Sequence, residues 1–274
     1  MLISISIVVY WPQKQRLYET LRTLGIALKF LKSSLTKAGN QLFSTLILID
    51  NGSDLSEFAY RAALANSDVE ILVLSGHGNI GYGQGHNLAI SKVRSQYHLI
   101  LNPDVRIDKD ALRKAIYFFD NHIDVGLVAP RILDDKGKLQ YLCRRYPTVV
   151  DLLLRGFMPK PIMKYFYSRL ARYEMHDALI RHNVVWDPLI ISGCFMLFHM
   201  DVLKKLGGFD SRYFLYFEDY DLSLRTHTVA RVAYVPSVCI VHYGGKAARK
   251  NLKHIGMFTV SACNFFNRFG WKWL

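Results

Sequence analysis

The chain has 274 residues, 51% of them hydrophobic, with 16 Tyr and 16 Phe, a composition that excludes disorder and allows one large domain or two small ones. Its 35 Lys and Arg outweigh 22 Asp and Glu, and the formal charge of +13 asks for an anionic partner: a nucleotide-bearing substrate, a nucleic acid or an acidic membrane surface. Cys143, Cys194, Cys239 and Cys263 are scattered without a C-x-x-C pair, which argues against a zinc ribbon, a redox motif or a disulfide scaffold.

The first predicted element is the β-branched run ISISIVVY (3–10), a buried strand with no basic leader, so no signal peptide is expected. Leu17, Leu21, Leu24, Leu28 and Leu31 then recur at helical spacing. A second strand, STLILID (44–50), stops at the turn former NGSD. A helix over 56–65, a third strand VEILVL (69–74) and a helix over 84–95 come next. YHLILN (97–102) is a fourth strand, 108–121 a helix and VGLVAP (125–130) a fifth strand. This alternation predicts a parallel sheet with helices on both faces, and ligands in such sheets sit beyond the carboxyl ends of the strands.

Polar residues gather at those ends. Asp50 and Asn51 close the second strand, GHGNIGYGQGHN with Asn79, Gly81 and Asn87 succeeds the third, and Asn102-Pro-Asp104 closes the fourth. The glycine run is not a dinucleotide fingerprint, because His86 stands where the last glycine belongs and the run comes after the wrong strand. Asn102 and Asp104 share one side of an extended chain and offer hard oxygen ligands suited to Mg²⁺ or Mn²⁺, although Asn-Pro-Asp is also a common turn. Asp50 can cap the next helix or accept hydrogen bonds from a base or ribose.

Beyond Leu133 come a hairpin-like DDKGKLQYLCRRYP and a basic, aromatic segment to about residue 182. Strand character returns in VVWDPLIISGCFMLF (184–198), DVLKKLGGFD reads as a short helix closed by glycines, and RVAYVP is a further strand. Between the last two, FLYFEDYDLSLR sets Glu218, Asp219 and Asp221 among aromatics at the start of a predicted helix. These acids either complement the helix dipole or supply a general base of raised pKa. His242 in IVHYGG can ligate a metal or touch a phosphate if its strand returns to the crevice.

SIVVYWP, LILIDNGSD, GNIGYGQGHNLAI, LILNPDVRI, ISGCFMLF and GGFDSRYFLYFEDYDLSLR together resemble the family 2 glycosyltransferases. The likeness runs from about residue 3 to 243. CRRYPTVVDLL, VVWDPLIISGCFML and YVPSVCIVHYGGKAARK narrow it to rhamnosyltransferases of bacterial O-antigen and cell-surface polysaccharide assembly. The resemblance implies an α/β GT-A fold, a mostly parallel Rossmann-like sheet with helices on both faces plus a C-terminal helical appendage. It implies a transferase domain over 1–243, with a donor-nucleotide half (1–130) and an acceptor and catalytic half (131–243), and a basic amphipathic tail over 244–274.

It further implies a metal-dependent, inverting transfer of L-rhamnose from dTDP-L-rhamnose, or of a hexose or N-acetylhexosamine from a UDP-sugar, to a lipid-linked saccharide. Asp50, Asn51, Asn79, Gly81, Asn87 and Asn102 would face the donor, with Arg144 and Arg145 at a diphosphate. Asp104, Asn102 and His242 would hold Mg²⁺ or Mn²⁺, Asn102 standing where the family carries an acid. Asp219 would be the base with Glu218 beside it, and Trp186, Gly193 and Asp221 would lie on the acceptor side. The basic segment 149–182 and the tail fit contact with an anionic membrane from the cytoplasmic side. A nucleic-acid partner is not expected, since no helix-turn-helix, zinc-finger or RNP-like motif is present.

Overall fold

A computed structural model of the chain describes residues 1–52, 63–64, 67–244 and 252–274. The helix expected over 56–65 lies almost wholly outside the described residues. The first strands are β1 (Leu2–Val9), β2 (Phe43–Asp50), β3 (Val69–Leu74) and β4 (Tyr97–Leu101), with helix α1 (Lys14–Lys37) after β1 and α2 (Tyr82–Lys92) after β3. β1 pairs in parallel with β2 and β4, and β2 with β3, as the alternation predicts. β5 (Val105–Ile107), which periodicity did not reveal, precedes α3 (Ala111–Asn121) and β6 (Val125–Leu133).

The second half adds α4 (Val149–Phe157), α5 (Lys160–Tyr165), α6 (Tyr167–Tyr173), α7 (His176–Leu179), β7 (Val185–Trp186), β8 (Phe195–His199), α8 (Met200–Lys205), α9 (Glu218–Thr226), β9 (Arg231–His242) and α10 (Leu252–Phe269). The sheet runs β3-β2-β1-β4-β8-β6-β9-β5, with β7 on β9. β8 enters antiparallel between β4 and β6, so the expected fifth strand is not beside the fourth and the sheet is mixed. β6 and β9 are parallel to each other, and β5 runs antiparallel to β9.

Alternation along β1 sorts the core into two layers. Ile3, Ile5, Ile7 and Val9 pack with Leu17, Leu21, Leu24 and Leu28 of α1 and with Leu112 and Ala115 of α3. Val8 faces the other way and packs with Ile47, Ile49 and Ala89 of α2. Ser4 and Ser6 share that second side and are also buried, which requires partners. Ser6 Oγ lies 2.6 Å from His86 Nδ1 and 2.8 Å from His98 Nε2, while Ser4 Oγ lies 2.7 Å from His98 Nδ1. Burial holds both histidines neutral, lowering His86 well below its ordinary pKa and His98 to about 3. His86 thus spoils the dinucleotide pattern because it is a core residue.

A third cluster joins the tail to the rest: Phe265 and Phe266 of α10 pack with Leu152, Ile190, Tyr213, Phe217 and Tyr220. Arg268 of α10 reaches Asp210 Oδ2 at 2.5 Å and Asp221 Oδ2 at 2.7 Å. Lys272 and Trp273 offer their carbonyls to Val149 N at 2.8 Å and Val150 N at 3.3 Å, filling donors that the first turn of α4 leaves open. No described helix is long and apolar enough to cross a membrane.

Candidate active site

The carboxyl ends of the parallel strands lie side by side, where open α/β sheets bind their ligands. Asp50 is buried and accepts from Gly52 N at 3.0 Å. Asn51 donates its amide to Asn79 Oδ1 at 3.2 Å and Gly81 O at 3.1 Å, and Asn79 Oδ1 accepts from Gly81 N at 3.1 Å. The end of β2 therefore holds the glycine loop that opens α2.

That loop lies against the acidic segment backbone to backbone. Tyr82 N donates to Phe214 O at 3.1 Å, and a Cβ on Gly81 would come within 2.3 Å of the same oxygen. Gly81 also has φ +87°, a conformation that favours glycine. Opposite it, the non-glycine residues Tyr216 and Phe217 sit at φ 71° and 64°, consecutive left-handed positions immediately before α9. Strain of this kind persists where surrounding packing imposes it, and it collects at functional sites.

Asp219 and Glu218 open α9 in unlike settings. Asp219 Oδ2 accepts from Gly193 N at 2.9 Å and Oδ1 from Tyr220 N at 3.0 Å. Glu218 is buried, and its Oε2 has no hydrogen-bond partner among the described residues. Burial, then the neighbouring Asp219 charge, raises Glu218 to about 8. Burial also raises Asp219, but the Gly193 amide and the Arg144 charge oppose it. When the pair holds one proton, Glu218 is the better place for it and Asp219 the better carboxylate.

Tyr82 connects this acid to the strand ends. Its hydroxyl lies 2.9 Å from Asn102 Oδ1 and 2.7 Å from Gly193 O, the residue whose amide holds Asp219. Burial and the charges of Glu218, Asp219 and Asp104 push its pKa well above the tyrosine range, so it is a neutral donor. No motif singles this tyrosine out; the available signal is a large hydroxyl-bearing side chain inside a run of glycines that otherwise clears space.

On the far side of Asn102, β9 returns to the crevice. His242 Nε2 lies 3.3 Å from Asp104 Oδ1 and 3.5 Å from Asn102 Nδ2. A Cβ on Gly244 would fall within 2.6 Å of His242 Nε2 and 2.8 Å of Asp104 Oδ2, so a side chain there would fill the space between them. No group of three or more His, Cys, Asp or Glu able to hold a metal occurs among the described residues. The set of one carboxylate, one imidazole and one amide instead fits a cation whose shell is completed by substrate phosphate oxygens.

Other expected site residues have different surroundings. Asn87 commits its amide to Phe209, donating to the carbonyl at 2.8 Å and accepting from the N–H at 2.8 Å, and so fastens the turn after α8. Arg145 is half-exposed and paired with Asp177 Oδ2 at 2.8 Å, among the short helices. Asp221 is fully buried between Arg225, at 2.5 Å, and Arg268, which makes it a tether for α10. Trp186 pairs with Ala233 at the start of β9, whereas His242 closes that strand, roughly 25–30 Å of chain away. Its ring lies 4.3 Å from the Arg231 guanidinium, at the end of β9 away from His242.

Arg144 does reach the site. It is buried, donates to Tyr220 Oη at 2.6 Å, and leaves its Nε without a partner. Tyr173 Oη lies 2.8 Å from the same phenol. Near Asp219 and, among the described residues, without a carboxylate at ion-pair distance, this buried guanidinium lends the site positive potential.

An open α/β sheet with a carboxylate-bearing helix across its strand ends puts the acids where such folds bind their ligands. The profile of the family described as "Glycosyl transferase family 2" matches residues 27–207, more than half the chain, and the protein belongs to that family. It is 27% identical over 175 residues to rhamnosyltransferase WbbL of Escherichia coli (strain K12), covering 61% of this chain and 62% of that one. It is 27% identical over 215 residues to N-acetylglucosaminyl-diphospho-decaprenol L-rhamnosyltransferase of Mycobacterium tuberculosis (strain ATCC 25618 / H37Rv), covering 73% of this chain and 66% of that one. The chain thus spans just under two thirds of these curated relatives.

Among solved structures, S. aureus TarS 1-349 in complex with UDP-GlcNAc superposes with TM-score 0.59 at 13% identity, over 97% of this chain and 67% of that one. The mannosyltransferase PcManGT from Pyrobaculum calidifontis in complex with GDP-Man and Mn²⁺ gives TM-score 0.57 at 15% identity, over 89% and 57%. At such identities the likeness is one of fold, and it agrees with the GT-A architecture expected from the sequence.

Proposed function

We propose that this protein transfers L-rhamnose from dTDP-L-rhamnose, with inversion, to a hydroxyl of a lipid-linked saccharide. The observation that carries the reading is the pairing of a supported carboxylate, Asp219, with the Asp104–His242 cluster across the Tyr82–Asn102 link. Family membership supplies the reaction class. The names of two relatives, both rhamnosyltransferases, suggest the sugar, and one of them the N-acetylglucosaminyl-diphospho-lipid acceptor.

Asp219 accepts the proton of the acceptor hydroxyl as its oxygen bonds to the anomeric carbon. The bond from that carbon to the diphosphate oxygen breaks on the opposite face, and its electron pair leaves with the nucleotide. Gly193 and Tyr220 amides keep Asp219 ionised and aimed, and Glu218 stays protonated beside it. Asp104 and His242, with Asn102, are the residues that would hold Mg²⁺ or Mn²⁺, which when bound offsets negative charge on the departing diphosphate. Arg144 adds fixed positive charge near Asp219, and Phe217 and Tyr220 exclude water.

Sugar nucleotides that bind the native state raise its melting temperature. dTDP-L-rhamnose with Mg²⁺ should protect the wild type, and Asp104→Ala should lose that protection. Protection by UDP-hexoses with none from dTDP-L-rhamnose would overturn the donor assignment and leave the transferase class standing.

A further inference from the structure

We propose that Tyr82 is a positioning residue whose hydroxyl decides which side of the Asn102 amide faces Asp104 and His242: by holding the amide nitrogen it turns Oδ1 toward that pair. The inference rests on the reading of Asp104, His242 and Asn102 as a cation cluster, and adds to it the group that orients the amide ligand.

The argument is a count of protons. A phenol carries one, and the Tyr82 hydroxyl has two oxygens beside it, Gly193 O at 2.7 Å and Asn102 Oδ1 at 2.9 Å. When either oxygen takes that proton, the other is left facing an oxygen. On its far side the Asn102 amide presents Nδ2 to His242 Nε2 at 3.5 Å, and an amide nitrogen has no lone pair to offer a cation. Half a turn of the amide about χ2 removes both conflicts. Nδ2 then donates to Tyr82 Oη, Tyr82 donates to Gly193 O, and Oδ1 joins Asp104 Oδ1 and His242 Nε2, which lie 3.3 Å apart. A phenol suits this place because it accepts and donates at once.

The fold keeps the hydroxyl at a fixed point. A Cβ on Gly83 would come within 2.9 Å of Phe209 Cβ and one on Gly85 within 2.7 Å of Val8 Cγ2, so the first turn of α2 is seated directly on its neighbours. The Tyr82 ring meets the rings of His86 and Phe209 edge-on, with centroids 4.5 and 6.1 Å away. Gly193 leaves room on the opposite side, where a Cβ would lie 3.4 Å from Tyr82 Cε1 and 3.3 Å from Asp219 Cβ. An aspartate at position 102 would need no such orientation, because its two oxygens are alike; an asparagine does.

The test is Mn²⁺ binding, read from the electron paramagnetic resonance of the free ion with dTDP and, in parallel, with UDP. It compares wild type, Tyr82→Phe, Asn102→Asp and the double variant, each with its melting curve to show that it is folded. Tyr82→Phe keeps the ring and should bind Mn²⁺ about three- to tenfold more weakly, the scale of one lost hydrogen bond. In the Asn102→Asp background the same change should alter binding by less than about twofold, because a carboxylate has no wrong side to present. A tyrosine with a merely structural role would cost the same in both backgrounds. That result, or wild-type affinity in Tyr82→Phe, would overturn the proposal and leave the cation cluster standing. Absence of Mn²⁺ binding by the wild type with either nucleotide would overturn the cluster and the proposal together.

Discussion

Asp219 and Glu218 are sequence neighbours with opposite prospects, because one receives two backbone N–H groups and the other leaves an oxygen unpaired. Asp219→Asn keeps the shape but not the basicity. It should lower turnover by about 10²-fold or more while leaving nucleotide-sugar protection near wild type. Wild-type turnover in Asp219→Asn together with inactive Glu218→Gln would move the base by one residue. Glu218 carries a second consequence for stability. Its pKa rises from 4.5 to about 8 on folding, so between those values the native state holds more protons than the unfolded chain. Its contribution is therefore greatest below about pH 4.5 and is lost as pH rises through about 8. Glu218→Gln should flatten that decline in melting temperature and raise the melting temperature near pH 8; an unchanged slope would show that Glu218 does not hold the proton.

At the scale of elements, the glycine loop before α2 and the aromatic segment before α9 form one structure, since Phe214 O contacts the loop at Tyr82 N. Gly81→Ala meets both a backbone oxygen at 2.3 Å and a φ of +87°. It should cost at least about 1 kcal/mol and lower turnover more than stability, because the shift propagates through Tyr82 to Gly193 and Asp219. Melting curves and kcat measured together check this, and a variant with normal kcat would uncouple the loop from the acid. This juxtaposition was only half legible. Both segments read as special in the sequence, one for its glycines and one for its acids, but they lie more than a hundred residues apart and no local pattern says that they touch.

Across the whole molecule, α10 is an integral layer. Asp221 is fully buried and receives Arg225 from its own helix and Arg268 from α10, so one carboxylate joins the site helix to the tail. Asp221→Ala would leave the two guanidinium groups facing each other over a void, and should destabilise by about 3–5 kcal/mol. Denaturant titration measures it; a loss under about 1 kcal/mol would show that solvent already screens the pair. The tether itself was not legible in the sequence, because the Arg268 partner of Asp221 is 47 residues away and invisible to a window of any helical length.

Local chemistry determined much of this protein from sequence alone. β-branched runs, leucines at three and four, and turn formers placed the first four strands, and the strand-end polar groups Asp50, Asn51, Asn102 and Asp104 came from the rule that parallel strands expose their carboxyl ends together. The motif likeness extended that to the family and to the acids of α9. Tertiary structure alone decided the rest. β8 inserts between β4 and β6, and that insertion sets which strand ends become neighbours. Trp186 falls at the far end because β7 pairs with the start of β9, and His242 arrives at Asp104 because β9 runs its full length to the crevice. Asn87 and Arg145 are consumed by partners that the fold, not their spacing, brings to them. Periodicity reports which face of an element is apolar, a property of adjacent residues. Pairing is settled by burial and hydrogen-bond satisfaction over distant ones, which a linear reading does not contain.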